Sequence, residues 1–130
     1  MNTIKEDYVS FEVAKLLKEK GFDGQTVRAY NLKKKLCKCQ CNPGETINST
    51  PNYLIAAPTF QMACKWLREV HNLHVDIGYD DLNWFWNIIS ISEDIPIADR
   101  PKFLVTGTAC HRTYEDATEA AIRYCLKNFI

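Results

Sequence analysis

The sequence predicts an α+β domain: an antiparallel sheet of three to five strands with helices packed mainly on one face. Three observations carry this reading. Apolar residues switch from a helical period to strict alternation within a few positions after Val70. A run apolar on both faces, Leu82 to Ile91, follows a turn signal. Amphipathic helical patterns stand near both ends of the chain.

The elements follow in order. Ser10 is placed to cap a helix over Phe11–Lys20, with Glu12 near its start and lysines near its end. Gly21 stops it in the left-handed conformation, and Phe22 then meets Leu17 to close a Schellman motif. Val27, Ala29 and Leu36 to Cys41 form a short hairpin around Asn31-Leu32-Lys33-Lys34-Lys35. Residues 42–52 are rich in turn formers and read as an irregular surface loop. After Pro58, Thr59 caps a second helix that buries Ala63, Trp66, Leu67 and Val70, with Lys65, Arg68 and Glu69 turned outward.

Leu73, Val75, Ile77 and Tyr79 alternate with His74, Asp76 and Gly78, the pattern of a strand buried on one side. Asp80-Asp81 turns it into a second strand, Leu82 to Ile91, and the two pair as a hairpin. The polar segment Ser92 to Pro101 leads to a third strand at Lys102–Thr106. Thr113, with Asp116 three residues on, opens a last helix with Ala117, Ala120, Ala121 and Tyr124 on one stripe. The expected organisation is one domain over residues 1–130. A helix and hairpin occupy 1–41, a loop 42–57, and a helix, three strands and a helix 58–130, the first part extending the same layer.

With 130 residues, 46% of them apolar, and 16 acidic against 16 basic side chains, the chain excludes fibres, collagen and wholesale disorder and can bury a core without staples. The start of the chain lacks the charged n-region and apolar run of a secretory signal, and no stretch approaches the roughly 18 apolar residues of a membrane span. A cytoplasmic location is therefore expected, with Cys37, Cys39, Cys41, Cys64, Cys110 and Cys125 as thiols rather than disulfides.

Cys37-Lys38-Cys39-Gln40-Cys41 is the most unusual segment. In a regular strand alternate residues stand about 6.6 Å apart on one face, and residues four apart about 13 Å. Sulfurs sharing one zinc must lie within about 4 Å of each other. A regular strand therefore cannot bring all three to one ion, so half-buried apolar thiols are the expectation. Metal or redox chemistry at Cys37, Cys39 and Cys41 is the minor alternative, and no metal or other cofactor is expected.

Catalytic patterns are equally sparse. There is no Gly-rich phosphate loop, no Gly-x-Ser-x-Gly elbow and no His-Glu-x-x-His helix. His71 and His74 straddle a helix end and a strand start, and Cys110 and His111, as sequence neighbours, point apart. The expectation is that the chain is not an enzyme.

Charge is more informative. From Gln25 to Gly44 the charged residues are Arg28, Lys33, Lys34, Lys35 and Lys38, with no acid among them. From Leu73 to Pro101, six acids face only Arg100. A basic hairpin of this kind neutralises phosphates. Basic and acidic segments on two copies would also pair reciprocally. Trp84 and Trp86 share one strand face, while Phe85, Ile89 and Ile91 share the other, so each face needs cover. If helices cover only one, an aromatic anchor for a partner is left on the other.

The stretch from Ala57 through Thr59, Lys65-Trp66-Leu67-Arg68-Glu69-Val70-His71 and Val75 resembles a recurring segment of small proteins from gut Bacteroidales and their phages. The opening helix, Val9 to Phe22, and the close from Thr113 to Ala117 with the alanine-rich helix after it are similar too. The resemblance implies a mobile-element origin and no particular activity. It carries over no catalytic residue, and the triple-cysteine segment and the loop after it depart from the pattern.

The functional expectation is a small non-enzymatic protein that acts through protein contacts or self-association, with Trp84 and Trp86 as anchors. The alternative is a nucleic-acid-binding accessory protein using Arg28, Lys33, Lys34, Lys35 and Lys38 of the basic hairpin. A second copy or another protein is thus the favoured partner, nucleic acid comes after it, and no membrane partner is expected.

Overall fold

The computed structural model describes residues 4–50, 53–94, 96–99, 104–107 and 110–130. It is an α+β fold with two antiparallel three-stranded sheets. The sequence predicts that the N-terminal hairpin extends one layer; instead it builds a sheet of its own. The chain divides into two compact units, Met1–Ala63 and Cys64–Ile130, the cut falling inside the second helix.

In the first unit, α1 (Phe11–Glu19) begins where the Ser10 hydroxyl accepts from the Val13 N–H at 3.3 Å. It ends as the sequence requires. Gly21 adopts φ +93°, the Phe22 N–H reaches the Leu17 carbonyl at 2.9 Å, and the Gly21 N–H reaches that of Lys18 at 3.2 Å. Leu17 and Phe22 are both buried. Strands β1 (Arg28–Tyr30) and β2 (Leu36–Lys38) pair with Ala29 opposite Cys37, and β3 (Ile55–Ala56) adds on the other side of β1. The sequence reading misses β3, whose two residues are too few for an alternation signal.

The loop after β2 is not wholly a surface feature. Ile47 is buried, and Asn48 spans two backbone groups, donating to the Phe22 carbonyl at 2.8 Å and accepting from the Ala56 N–H at 3.0 Å. Pro51 and Asn52 of the predicted loop lie outside the described residues. Tyr8 bridges to Thr59, and the Val9 N–H donates to the Pro58 carbonyl, so the start of the chain is tied to the approach to α2.

Helix α2 (Phe60–His71) takes its cap from Thr59, whose hydroxyl accepts from the Met62 N–H at 3.1 Å. Ala63 and Leu67 are buried, but Val70 is 57% exposed, a correction to the predicted stripe. Near the end of a helix the last position of a stripe can run past what it packs on, and periodicity alone does not mark where that happens.

In the second unit, β4 (Leu73–Asp80) and β5 (Asn83–Ser90) pair along their whole length, from Leu73 opposite Ser90 to Asp80 opposite Asn83. The turn is Asp81-Leu82, one residue later than predicted. Both residues have positive φ, 44° and 69°, as a two-residue hairpin turn requires. Strand β6 (Val105–Thr106) pairs with β5, and Trp84 exchanges both backbone hydrogen bonds with His111. Lys102 and Phe103 of the predicted third strand lie outside the described residues.

Helix α3 (Tyr114–Asn128) starts where the Thr113 hydroxyl accepts from the Asp116 N–H at 3.0 Å. Its face carrying Ala117, Ala121, Ile122, Cys125 and Leu126 is buried, and the buried Thr118 hydroxyl donates to the Tyr114 carbonyl. Among the described residues, no helix is long and apolar enough to cross a membrane.

Candidate functional site

The basic residues singled out in the sequence converge on the β1–β2 hairpin, and one side chain shapes its tip. The Asn31 carboxamide oxygen accepts from the Lys33 and Lys35 N–H groups at 2.9 and 3.1 Å, while its carbonyl accepts from Lys34. Lys34 takes φ 61° to complete the turn. Lys33, Lys34 and Lys35 are all exposed there. Farther down, Arg28 stands directly opposite Lys38 in the ladder, a like-charge pair that a bound anion would relieve.

Aromatic rings interleave with these cations. The Arg28 guanidinium lies 5.9 Å from the centroid of Tyr8, and the Lys34 ammonium 5.2 Å from that of Phe11. Phe11 meets Tyr30 edge to face at 5.6 Å, and Tyr30 is anchored by its hydroxyl, which donates to the Val9 carbonyl at 2.6 Å. All three rings are half-buried. None of Arg28, Lys33, Lys34, Lys35 and Lys38 has an ion-pair partner among the described residues. Sequence reasoning found the cations and missed the rings. Tyr30 abuts the tip, but the approach of Tyr8 and Phe11 is tertiary and leaves no local signal.

The opposite face of the same hairpin carries thiols. Cys37 and Cys39 are half-buried as predicted, whereas Cys41 is exposed. The Cys37 and Cys39 sulfurs lie 3.8 Å apart, far closer than the strand repeat. The repeat sets the spacing of the backbone; β2 ends at Lys38, and the two side chains converge from there. Burial first, then the hydrogen bond with Cys37 and the charges of Cys37 and Cys41, hold the Cys39 thiol above the ordinary cysteine range. Cys39 and Cys41 line a cavity of about 750 Å³ that Tyr8, Gln25, Glu6 and Glu45 also line. Among the described residues, no group of three or more His, Cys, Asp or Glu side chains is gathered as a metal shell.

The two tryptophans lie under α3. Trp86 is 7% exposed and its ring centroid is 5.3 Å from that of Tyr124; Trp84 sits between Tyr79 and Tyr114 at 4.9 and 5.6 Å. His71 packs its ring against Trp66 at 4.6 Å, and burial lowers its pKa. His74 stands on β4 opposite Ile89, Cys110 is exposed, and His111 is held to Trp84 through its backbone. Comparison with protein-family models, curated proteins and solved structures finds no match for this chain.

Proposed function

We propose that this chain is a non-catalytic binding protein whose β1–β2 hairpin takes single-stranded nucleic acid. The observation that carries the reading is the set of five cations on one hairpin, without ion-pair partners among the described residues and flanked by three half-buried rings. Phosphates replace the counterions around Arg28, Lys33, Lys34, Lys35 and Lys38, while Tyr8, Phe11 and Tyr30 offer faces and edges to unstacked bases. A duplex keeps its bases stacked and gives these rings nothing to hold. Protein contacts or self-association anchored by Trp84 and Trp86 has less support, because α3 already lies over both rings. The role fits a cytoplasmic protein with free thiols, and the resemblance to proteins of Bacteroidales and their phages is compatible with an accessory task on nucleic acid.

Fluorescence anisotropy with labelled single-stranded DNA, single-stranded RNA and duplex tests the reading. Single strands are expected to bind more tightly than duplex. With five cations engaged, affinity should fall about a hundredfold between 50 and 200 mM salt. Charge reversal of Lys33, Lys34 and Lys35 together should abolish binding. Absence of binding at low salt, or an unaffected triple variant, would remove the proposal.

A further inference from the structure

We propose that the outer edge of β4 takes the same strand of a second copy of this chain, joining the two sheets into one antiparallel sheet across a two-fold axis. The strand order β4-β5-β6 leaves β4 at the edge. Hydrogen bonds on β5 fix which of its backbone groups face outward. Trp84 exchanges both of its bonds with His111, at 2.8 and 2.9 Å, and the Trp86 and Ile88 carbonyls accept from Gly107 and Leu104 at 2.8 and 2.7 Å. These three residues turn away from β4, so the alternate residues Phe85, Asn87 and Ile89 bond to their partners Gly78, Asp76 and His74. Val75, Ile77 and Tyr79 of β4 therefore direct their N–H and C=O groups off the free edge. Among the described residues, none of those groups has a hydrogen-bond partner. The anchor is backbone, independent of the tryptophans under α3 and of the β1–β2 hairpin.

The side chains choose the occupant. A bare edge accepts extended strands in general, but β4 complements itself in one register. With Ile77 on the axis, Val75 stands opposite the partner's Tyr79, a branched residue against an aromatic one, and these outward-facing residues make the backbone bonds. The pairs between them lack backbone bonds and bring side chains closer. There His74 faces the partner's Asp80, whose carboxylate accepts from the imidazole, while Asp76, held by the Asn87 carboxamide at 3.3 Å, meets only the partner's Gly78. Sliding the strands by two residues either way sets Asp76 against the partner's Asp76 or the partner's Asp80. Like charge therefore disfavours both neighbouring registers. The two-fold axis repeats each contact, and pairing covers the half-buried Ile77 and the 56% exposed Tyr79.

Sedimentation equilibrium of the full chain over a concentration series reads the mass, and amide hydrogen exchange at low and high concentration locates the contact. The mass should rise from that of one chain toward two. Amides of Val75, Ile77 and Tyr79, open to exchange in the monomer, should become protected at high concentration, while those of Asp76 and Gly78, bonded to β5 in both states, stay slow. H74D sets two carboxylates opposite each other and should weaken the dimer about tenfold, because the pair occurs twice. H74D combined with D80K restores unlike charges and should recover it. Should these variants fold poorly, exchange on the wild type decides alone. A chain still monomeric at millimolar concentration leaves the edge to a different strand and overturns the proposal, as does a dimer whose protection falls elsewhere or one that H74D leaves unchanged.

Discussion

The indole of Trp86 lies against the backbone of Gly107, so close that a Cβ at residue 107 would stand 2.3 Å from the ring. The Gly107 N–H donates to the Trp86 carbonyl at 2.8 Å, which fixes the spacing, and Tyr124 packs on the same indole. The strand edge and the helix therefore meet through one ring. Gly107→Ala must displace that ring or the edge and is expected to cost about 1–3 kcal/mol, read by urea denaturation.

Gly78 offers the contrast. Its Cβ would stand 2.2 Å from the ring of Phe85, its cross-strand partner on the face of the hairpin away from α3. Phe85 is half-buried where Trp86 is buried, so its ring has less packing to lose in yielding and Gly78→Ala should cost less than Gly107→Ala in the same assay. Equal losses would mean that Phe85 is as firmly held as Trp86.

At the hairpin turn, Leu82 carries φ 69° with its side chain 83% exposed. A branched side chain there bears the left-handed penalty without gaining burial, and glycine is the residue that this turn position prefers. Leu82→Gly should raise stability by about 1 kcal/mol. A fall in the denaturation midpoint would count against the turn geometry.

Asn48 tests the first unit. Asn48→Ala leaves the Phe22 carbonyl and the Ala56 N–H without their side-chain partner and should cost about 1–3 kcal/mol. Hydrogen exchange should quicken at Ala56 if the bond is made as described.

Alkaline pH probes the buried thiols. Burial pushes Cys64 up to about 11 and Cys125 up to about 12, from an ordinary 9.0. The unfolded chain releases these protons at lower pH than the folded one. Their contribution is therefore complete below about pH 9 and lost as pH rises through 9 to 12. Thermal midpoints should decline over that window, and Cys125→Ala should flatten the decline.

The sequence makes some of this plain and hides the rest for physical reasons. Ser10, Gly21 and the Phe22–Leu17 contact are local, so the whole of α1 with its caps is legible, as is Thr113 at the start of α3. The alternation in β4 and β5 assigns faces only in part: Val75, Trp86 and Ile88 are buried on the shared face, but Tyr79, predicted to be buried with them, is 56% exposed near the hairpin turn, and Asn87 on the other face is buried. Ile47 and Asn48 sit among turn formers, and their roles depend on Phe22 and Ala56, distant in sequence. The cysteine spacing predicts that three sulfurs do not meet at one point, and among the described residues they do not, but strand geometry says nothing of side-chain torsions, through which Cys37 and Cys39 alone converge.

The central claim is that the β1–β2 hairpin is the binding surface, and an amide chemical-shift titration with a short single-stranded oligonucleotide tests it most directly. Perturbations should concentrate on residues 28–38 and on Tyr8 and Phe11, leaving α3 unmoved. A spectrum that does not change, or changes centred on β4 or α3, would contradict it.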